Sequence, residues 1–219
     1  MGKECSHDHK ECCDDSKCKL PRRWLIIVIV AFVFANLLVI FLFWVITTPT
    51  KPTFVLQDAT LSTFSLSSLS SPTVLTTNLQ VTISTRNPNQ NIGIYYEKVE
   101  VSATYRNQQI TLATMLPTTY QGHKDITVWS PFVCGNAVPL SPLVADALTE
   151  DLNTGMVLLN IKVDGQIKSK VGTLFERKYR LNVNCPAYIS FGGKNKGIAC
   201  CATGAAIKFQ FVQRCIVEI

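Results

Sequence analysis

Residues 157–171 read VLLNIKVDGQIKSKV, and the way this run folds decides the class of the protein. Asp164-Gly165 is a type I′ hairpin dipeptide. A two-residue turn there would set Ile161 opposite Lys168 and Leu159 opposite Lys170, mixing apolar and charged side chains on one face. A continuous strand instead keeps Val157, Leu159, Ile161, Val163, Ile167 and Val171 in one odd phase. The run is therefore read as one long strand with a bulge at Gly165, reversing near Gly172-Thr173.

The same alternation extends outward from it. Phe175, Tyr179, Leu181, Val183 and Cys185 follow on one side. Upstream lie Leu79, Val81 and Ile83, then Val99, Val101, Ala103 and Tyr105, with Asn107-Gln108 as a turn into a further strand over 110–115. Residues 62–77 are rich in Ser and Thr and read as a polar loop or an edge strand. One helix interrupts the pattern. Ser141 can cap it, Pro142 suits its first position, Val144, Leu148 and Leu152 repeat every four, and Gly155 stops it. The expected fold is mainly β: an antiparallel β-sandwich with one short α-helix, about 130 residues in all. Its expected bounds are 54–190, with 191–219 as a C-terminal extension packed on the domain.

Before the strands, Trp24 to Ile46 is a run of 23 residues without a charge. As a helix it reaches about 34 Å, enough to cross a hydrocarbon core of about 30 Å. A signal peptide would have a shorter apolar run and a small-residue cleavage site, and neither is present. Trp24 and Trp44 mark its two ends, as expected of interfacial indoles. Lys17, Lys19, Arg22 and Arg23 precede it with no acid among them, whereas Thr47 to Leu61 holds only Lys51 and Asp58. The positive-inside rule then keeps residues 1–23 in the cytosol and places the C-terminal domain outside, a single-pass type II arrangement. Residues 47–53 form a proline-stiffened spacer.

The anchor also sorts the nine cysteines. Cys5, Cys12, Cys13 and Cys18 are cytosolic. Cys134, Cys185, Cys200, Cys201 and Cys215 lie where disulfides persist, and their odd number leaves at least one free or paired between chains. The tail lacks the paired knuckles of a structural zinc site. Lipidation suits it better: Gly2 opens an M-G-x-x-x-[ST] pattern, and Cys12, Cys13 and Cys18 are acylation candidates.

Several chemistries are excluded. Residues 47–219 carry 15 basic and 10 acidic side chains without a basic block, which does not suit a nucleic-acid binder. His123 is the only histidine after the anchor, and no G-x-S-x-G elbow accompanies it. Gly192 to Gly197 lacks the Lys that a phosphate loop needs. There is no N-x-[ST] sequon. The sequence therefore points to no enzyme, no metal and no cofactor.

Five motifs carry a family resemblance: residues 49–60 (PTKPTFVLQDAT), Arg86-Asn87-Pro88-Asn89, Ile92-Gly93-Ile94-Tyr95-Tyr96, Tyr120-Gln121-Gly122-His123-Lys124 and Val128-Trp129-Ser130-Pro131. Together, over residues 24–219, they resemble the plant NDR/HIN-like family of non-race-specific disease resistance and harpin-induced proteins. The resemblance implies a plasma-membrane anchor followed by a late-embryogenesis-abundant, fibronectin-III-like sandwich. It also implies a non-enzymatic role in defence against pathogens, at the plasma membrane and in some cases at plasmodesmata. The implied partners are the lipid bilayer, defence-signalling or receptor proteins, and homo- or hetero-oligomers of related chains. A stress-protective or lipid-binding module is the alternative.

Arg86 to Asn89 and Tyr120 to Lys124 are the interaction candidates. Asn87-Pro88-Asn89 also ends a strand, and Tyr120 to Lys124 also reads as a Gly-centred turn. Cys185 and Cys215 sit where the family often carries cysteine, and Cys185 closes its strand before Pro186, where the chain is expected to leave the sheet. A disulfide between them is expected, with two buried thiols as the alternative.

Overall fold

A computed structural model describes residues 22–47, 49–67, 72–171, 175–191, 199–200, 207–209 and 212–219. The N-terminal tail with Gly2, Cys12, Cys13 and Cys18, together with Cys201, lies outside the described residues. The chain forms two compact units, residues 1–48 and 49–219.

In the first unit, α1 (Arg22–Thr47) is a single helix. Within Arg22–Val45 an 18-residue window reaches a mean hydropathy of 3.2, so the helix is long and apolar enough to cross a membrane. Between Trp24 and Ile46 the one strongly polar side chain is Asn36, which donates its amide to the Phe32 carbonyl one turn back, at 2.7 Å. The helix thus satisfies its own polar group.

The second unit is a two-sheet antiparallel sandwich. The first sheet centres on β1 (Thr53–Ser67) and β2 (Val74–Arg86). After β3 (Ile92–Tyr105), β4 (Gln108–Gln109), β5 (Thr114–Met115) and β6 (Thr119–Gln121) come β7 (Ile126–Trp129) and β8 (Phe132–Pro139). β7 and β8 pair end to end along the free side of β2. Helix α2 (Pro142–Thr154) then leads into β9 (Met156–Val171) and β10 (Phe175–Ser190). The second sheet runs β10-β9-β3, with β4, β5 and β6 along the far side of β3.

Residues 157–171 do form one strand. Val157, Leu159, Ile161, Val163 and Ile167 all face the core, between β10 and β3. The bulge, however, lies in the neighbouring strand. The β3–β9 register slips between Tyr96 and Lys98, making Glu97 the extra residue. Gly165 is where the two backbones crowd: a Cβ there would stand 2.2 Å from the Lys98 carbonyl oxygen. Only glycine fits that approach.

Three other local expectations are revised. The turn after β3 uses Arg106 and Asn107, with φ of 43° and 67°, one residue before the expected Asn107-Gln108. Two successive positive φ values suit a two-residue hairpin. Residues 110–115 do not continue as one strand, because the chain there crosses toward the other sheet. Leu112 N–H donates to the Cys134 carbonyl at 2.8 Å, and Gly135 has no room for a Cβ beside the Ile110 carbonyl. The chain also stays in the sheet past Pro186, which pairs with Asn160. Among the described residues only β9 pairs with β10 at that point, and an edge tolerates proline.

Helix α2 follows its sequence signals except in its cap. Ser141 is the extended N-cap residue but its side chain makes no capping hydrogen bond; Pro142 opens the helix, and Gly155 closes it with φ 82°. Val144, Ala145 and Leu148 pack onto the core. Tyr105 donates its hydroxyl to Asp151 Oδ2 at 2.6 Å, tying α2 to the end of β3.

The C-terminal segment contributes to both sheets. β11 (Ala199–Cys200), β12 (Ile207–Phe209) and β13 (Gln213–Arg214) pair with β1, whereas β14 (Ile216–Glu218) pairs with β10. Cys215 lies at the crossover, its N–H bonded to the Phe54 carbonyl at 3.0 Å.

Candidate functional site

The sequence motifs meet at the end of the sandwich where β1 begins, called proximal below. Thr53 pairs with Arg86 at the end of β2, Ile92 begins β3 beside Val171, and β6 and β7 join through residues 122–125. Five segments converge there, each bringing backbone groups that strand pairing leaves unbonded.

Asn87 resolves most of them. It is fully buried, and its amide nitrogen donates to the carbonyls of Ile92 (2.7 Å) and Gly122 (2.9 Å). Its Oδ1 accepts from the backbone N–H and the side-chain nitrogen of Asn89, at 3.0 and 2.9 Å. Asn89 in turn grips the spacer. Its Oδ1 accepts from Thr50 N–H and its Nδ2 donates to the Thr50 carbonyl, both at 2.8 Å. Asn87 N–H reaches the Asp125 carbonyl, and Lys124 N–H reaches the Asn89 carbonyl.

Gln121 repeats this logic one layer deeper. It is fully buried, donating to the carbonyls of Thr85 (2.8 Å) and Asp125 (3.0 Å) and accepting from the Tyr96 hydroxyl at 2.9 Å. Burial pushes the Tyr96 phenol up to about 12, the hydrogen bond with Thr85 opposing the shift. Its ring packs edge-on against Trp129 and Phe54. The Tyr120 ring lies over Gly93, where a Cβ would collide with it, and its centroid is 4.5 Å from that of Tyr95.

The expected turn over Tyr120 to Lys124 is present but is not centred on Gly122. Lys124 takes the left-handed conformation, with φ 54°. His123, Lys124, Arg86 and Pro88 are exposed, and Tyr120 is half exposed. The motif residues therefore split in two. Asn87, Asn89 and Gln121 use their amides to hold the fold together, whereas Arg86, His123 and Lys124 offer charge and donors to solvent.

Thr50, Thr85, Tyr96 and Asp125 complete the network and were not among the interaction candidates, although Thr50 and Tyr96 lie in the quoted motifs. Thr85 and Tyr96 had a signal: polar groups in the inward phase of their strands, after Ile83 and Ile94.

Elsewhere the structure joins Cys185 and Cys215 in a disulfide, with Cα atoms 4.4 Å apart. Cys134 is a free thiol whose Sγ meets Asn78 Oδ1 at 3.3 Å, and Cys200 lies in β11 beside Phe64. Among the described residues no cluster of three potential metal ligands occurs.

A long apolar helix and a sandwich closed by buried amides define the general class. Residues 82–185 match the family described as Late embryogenesis abundant protein. The whole chain is 47% identical to NDR1/HIN1-like protein 1 of Arabidopsis thaliana, covering 99% of this chain and 100% of that protein. It is 50% identical to NDR1/HIN1-like protein 12 of the same plant over 88% and 89% of the two chains. With NDR1/HIN1-like protein 26 the identity is 38% over 71% and 73%. The protein belongs to the NDR1/HIN1-like family.

Proposed function

We propose that this is a non-enzymatic plasma-membrane protein of plant defence and stress responses, working by binding other proteins. In this reading α1 anchors it, the tail faces the cytosol, and the sandwich stands outside. The observation that carries the binding role is an apolar row on the outer face of the first sheet. Val128 on β7, Ser130 in the link after it and Phe132 on β8 alternate outward, with Val128 52% and Phe132 55% exposed. The neighbouring outward residues of β2 are the half-buried Gln80 and Thr82 and the buried Ser84, so the row borders uncharged polar side chains of β2. Exposed apolar surface rimmed by polar groups suits a protein partner.

The interior supports this over a lipid carrier. One contiguous cluster of buried apolar side chains, which includes Phe54, Tyr96, Leu159 and Phe191, lies between the sheets.

Affinity purification of the full chain from infected and uninfected tissue tests the proposal. Val128→Ser with Phe132→Ser is expected to lose the co-purifying proteins while protein level and the Cys185–Cys215 bond persist. An unchanged set of partners would overturn the reading. Protease added to intact protoplasts checks the orientation. It is expected to remove the C-terminal domain and spare an N-terminal tag.

A further inference from the structure

Charge is unevenly distributed along the sandwich. At the proximal end Lys51, Arg86, Lys124, Lys170, Arg177 and Lys178 are all exposed. The acids near them are engaged: Glu97 and Glu176 both pair with Lys168, and Asp125 accepts from the Ile126 N–H. The opposite end is acidic among the described residues. Asp146 and Glu150 are exposed on α2, and the nearby cation among the described residues, Arg106, is paired with Asp151.

The basic end also carries aromatic surface. Strand register sets Lys178, Lys168, Tyr95 and Tyr120 in one row across β10, β9, β3 and β6. Tyr95 is 38% and Tyr120 49% exposed. Tyrosine beside lysine is the composition that favours a membrane–water interface.

Connectivity brings a bilayer within reach. Asn89 fixes Thr50 to this end of the sandwich, and only Thr48 and Pro49 separate Thr50 from Thr47, the last residue of α1. Three residue steps span at most about 11 Å. The basic end is thus the part of the domain that cannot move far from the membrane the helix crosses.

We propose that the proximal end of the sandwich docks on the phosphate-bearing headgroups of that membrane. Lys51, Arg86, Lys124, Lys170, Arg177 and Lys178 supply the charge, and the Tyr95–Tyr120 pair supplies the interfacial rings. The acidic end with α2 then faces away from the lipid. Anionic headgroups attract the basic end and repel the acidic one over roughly a Debye length, so the two ends orient the domain without a rigid joint. Arg86 and Lys124, exposed while the amides beside them are buried, thereby acquire a ligand.

The inference rests on the anchor reading but not on the defence role. Its test uses the full chain in nanodiscs of phosphatidylcholine, with and without phosphatidylglycerol, read by backbone hydrogen exchange. Peptides around Lys124 and Lys178 are expected to exchange about tenfold more slowly with phosphatidylglycerol present, and the protection should vanish in high salt. The triple variant Lys170→Glu, Arg177→Glu, Lys178→Glu should lose it, while Arg106→Glu at the far end should keep it. Unchanged exchange in α2 verifies that each variant is folded. Equal exchange in the two lipids, protection that survives the triple variant, or equal protection of α2 would overturn the proposal. A chain that fails to enter nanodiscs of either composition would instead refute the anchor itself.

Discussion

Asn87 uses every hydrogen-bonding position of its amide inside the protein, two donated and two accepted. Truncation leaves buried carbonyls and an Asn89 amide without partners, each a desolvation cost that water cannot relieve. Asn87→Ala is therefore expected to cost about 3 kcal/mol or more, seen as a lower melting temperature. Lys124→Gly should do the opposite by up to about 1 kcal/mol, since its φ of 54° strains any residue with a Cβ. The sequence marks residues 86–89 and 120–124 as turns because Pro, Asn and Gly announce them. It does not show that Asn89 holds Thr50, a partner 39 residues away in the chain. Such pairings depend on which strands end side by side, and no local pattern records that.

At the scale of the strand, the reading of residues 157–171 succeeds because one face must stay apolar across both neighbours, and the odd positions allow it. The misplaced bulge is equally instructive. Ile92, Ile94 and Tyr96 face inward in the even phase, then Val99, Val101 and Ala103 in the odd. That phase change was visible in β3 itself, whereas Gly165 in β9 only makes room for it. Gly165→Ala should force the backbones apart at Lys98 and destabilise by about 1–3 kcal/mol, measurable by chemical denaturation. A cost near zero would mean that the two strands can separate locally without penalty.

For the molecule as a whole, two buried phenols set an alkaline limit. Tyr96 and Tyr105 are both held up to about 12, chiefly by burial, from an ordinary value of 10.0. Unfolded tyrosine releases its proton near pH 10 while the folded residue keeps it. Their contribution is thus complete below pH 10 and is lost as the pH rises from 10 toward 12. The shift of the deeply buried Tyr96 corresponds to about 2–3 kcal/mol, and that of Tyr105, whose hydroxyl meets the partly exposed Asp151, to less because solvent screens it. Denaturation midpoints should fall across that window, and Tyr96→Phe should make the fall shallower.

The Cys185–Cys215 bond has a consequence for covalent continuity. The described strands after Phe191 return to the sandwich, β11 to β13 on β1 and β14 on β10, and the bond fastens the last of them to β10. A peptide-bond cut between Phe191 and Ile207 therefore does not shed the C-terminal piece. It yields a two-chain protein held by one sulfur bridge and its own strand pairing, of full size on a gel until reductant is added. In a space that contains proteases, the chain can be severed there and the sandwich kept.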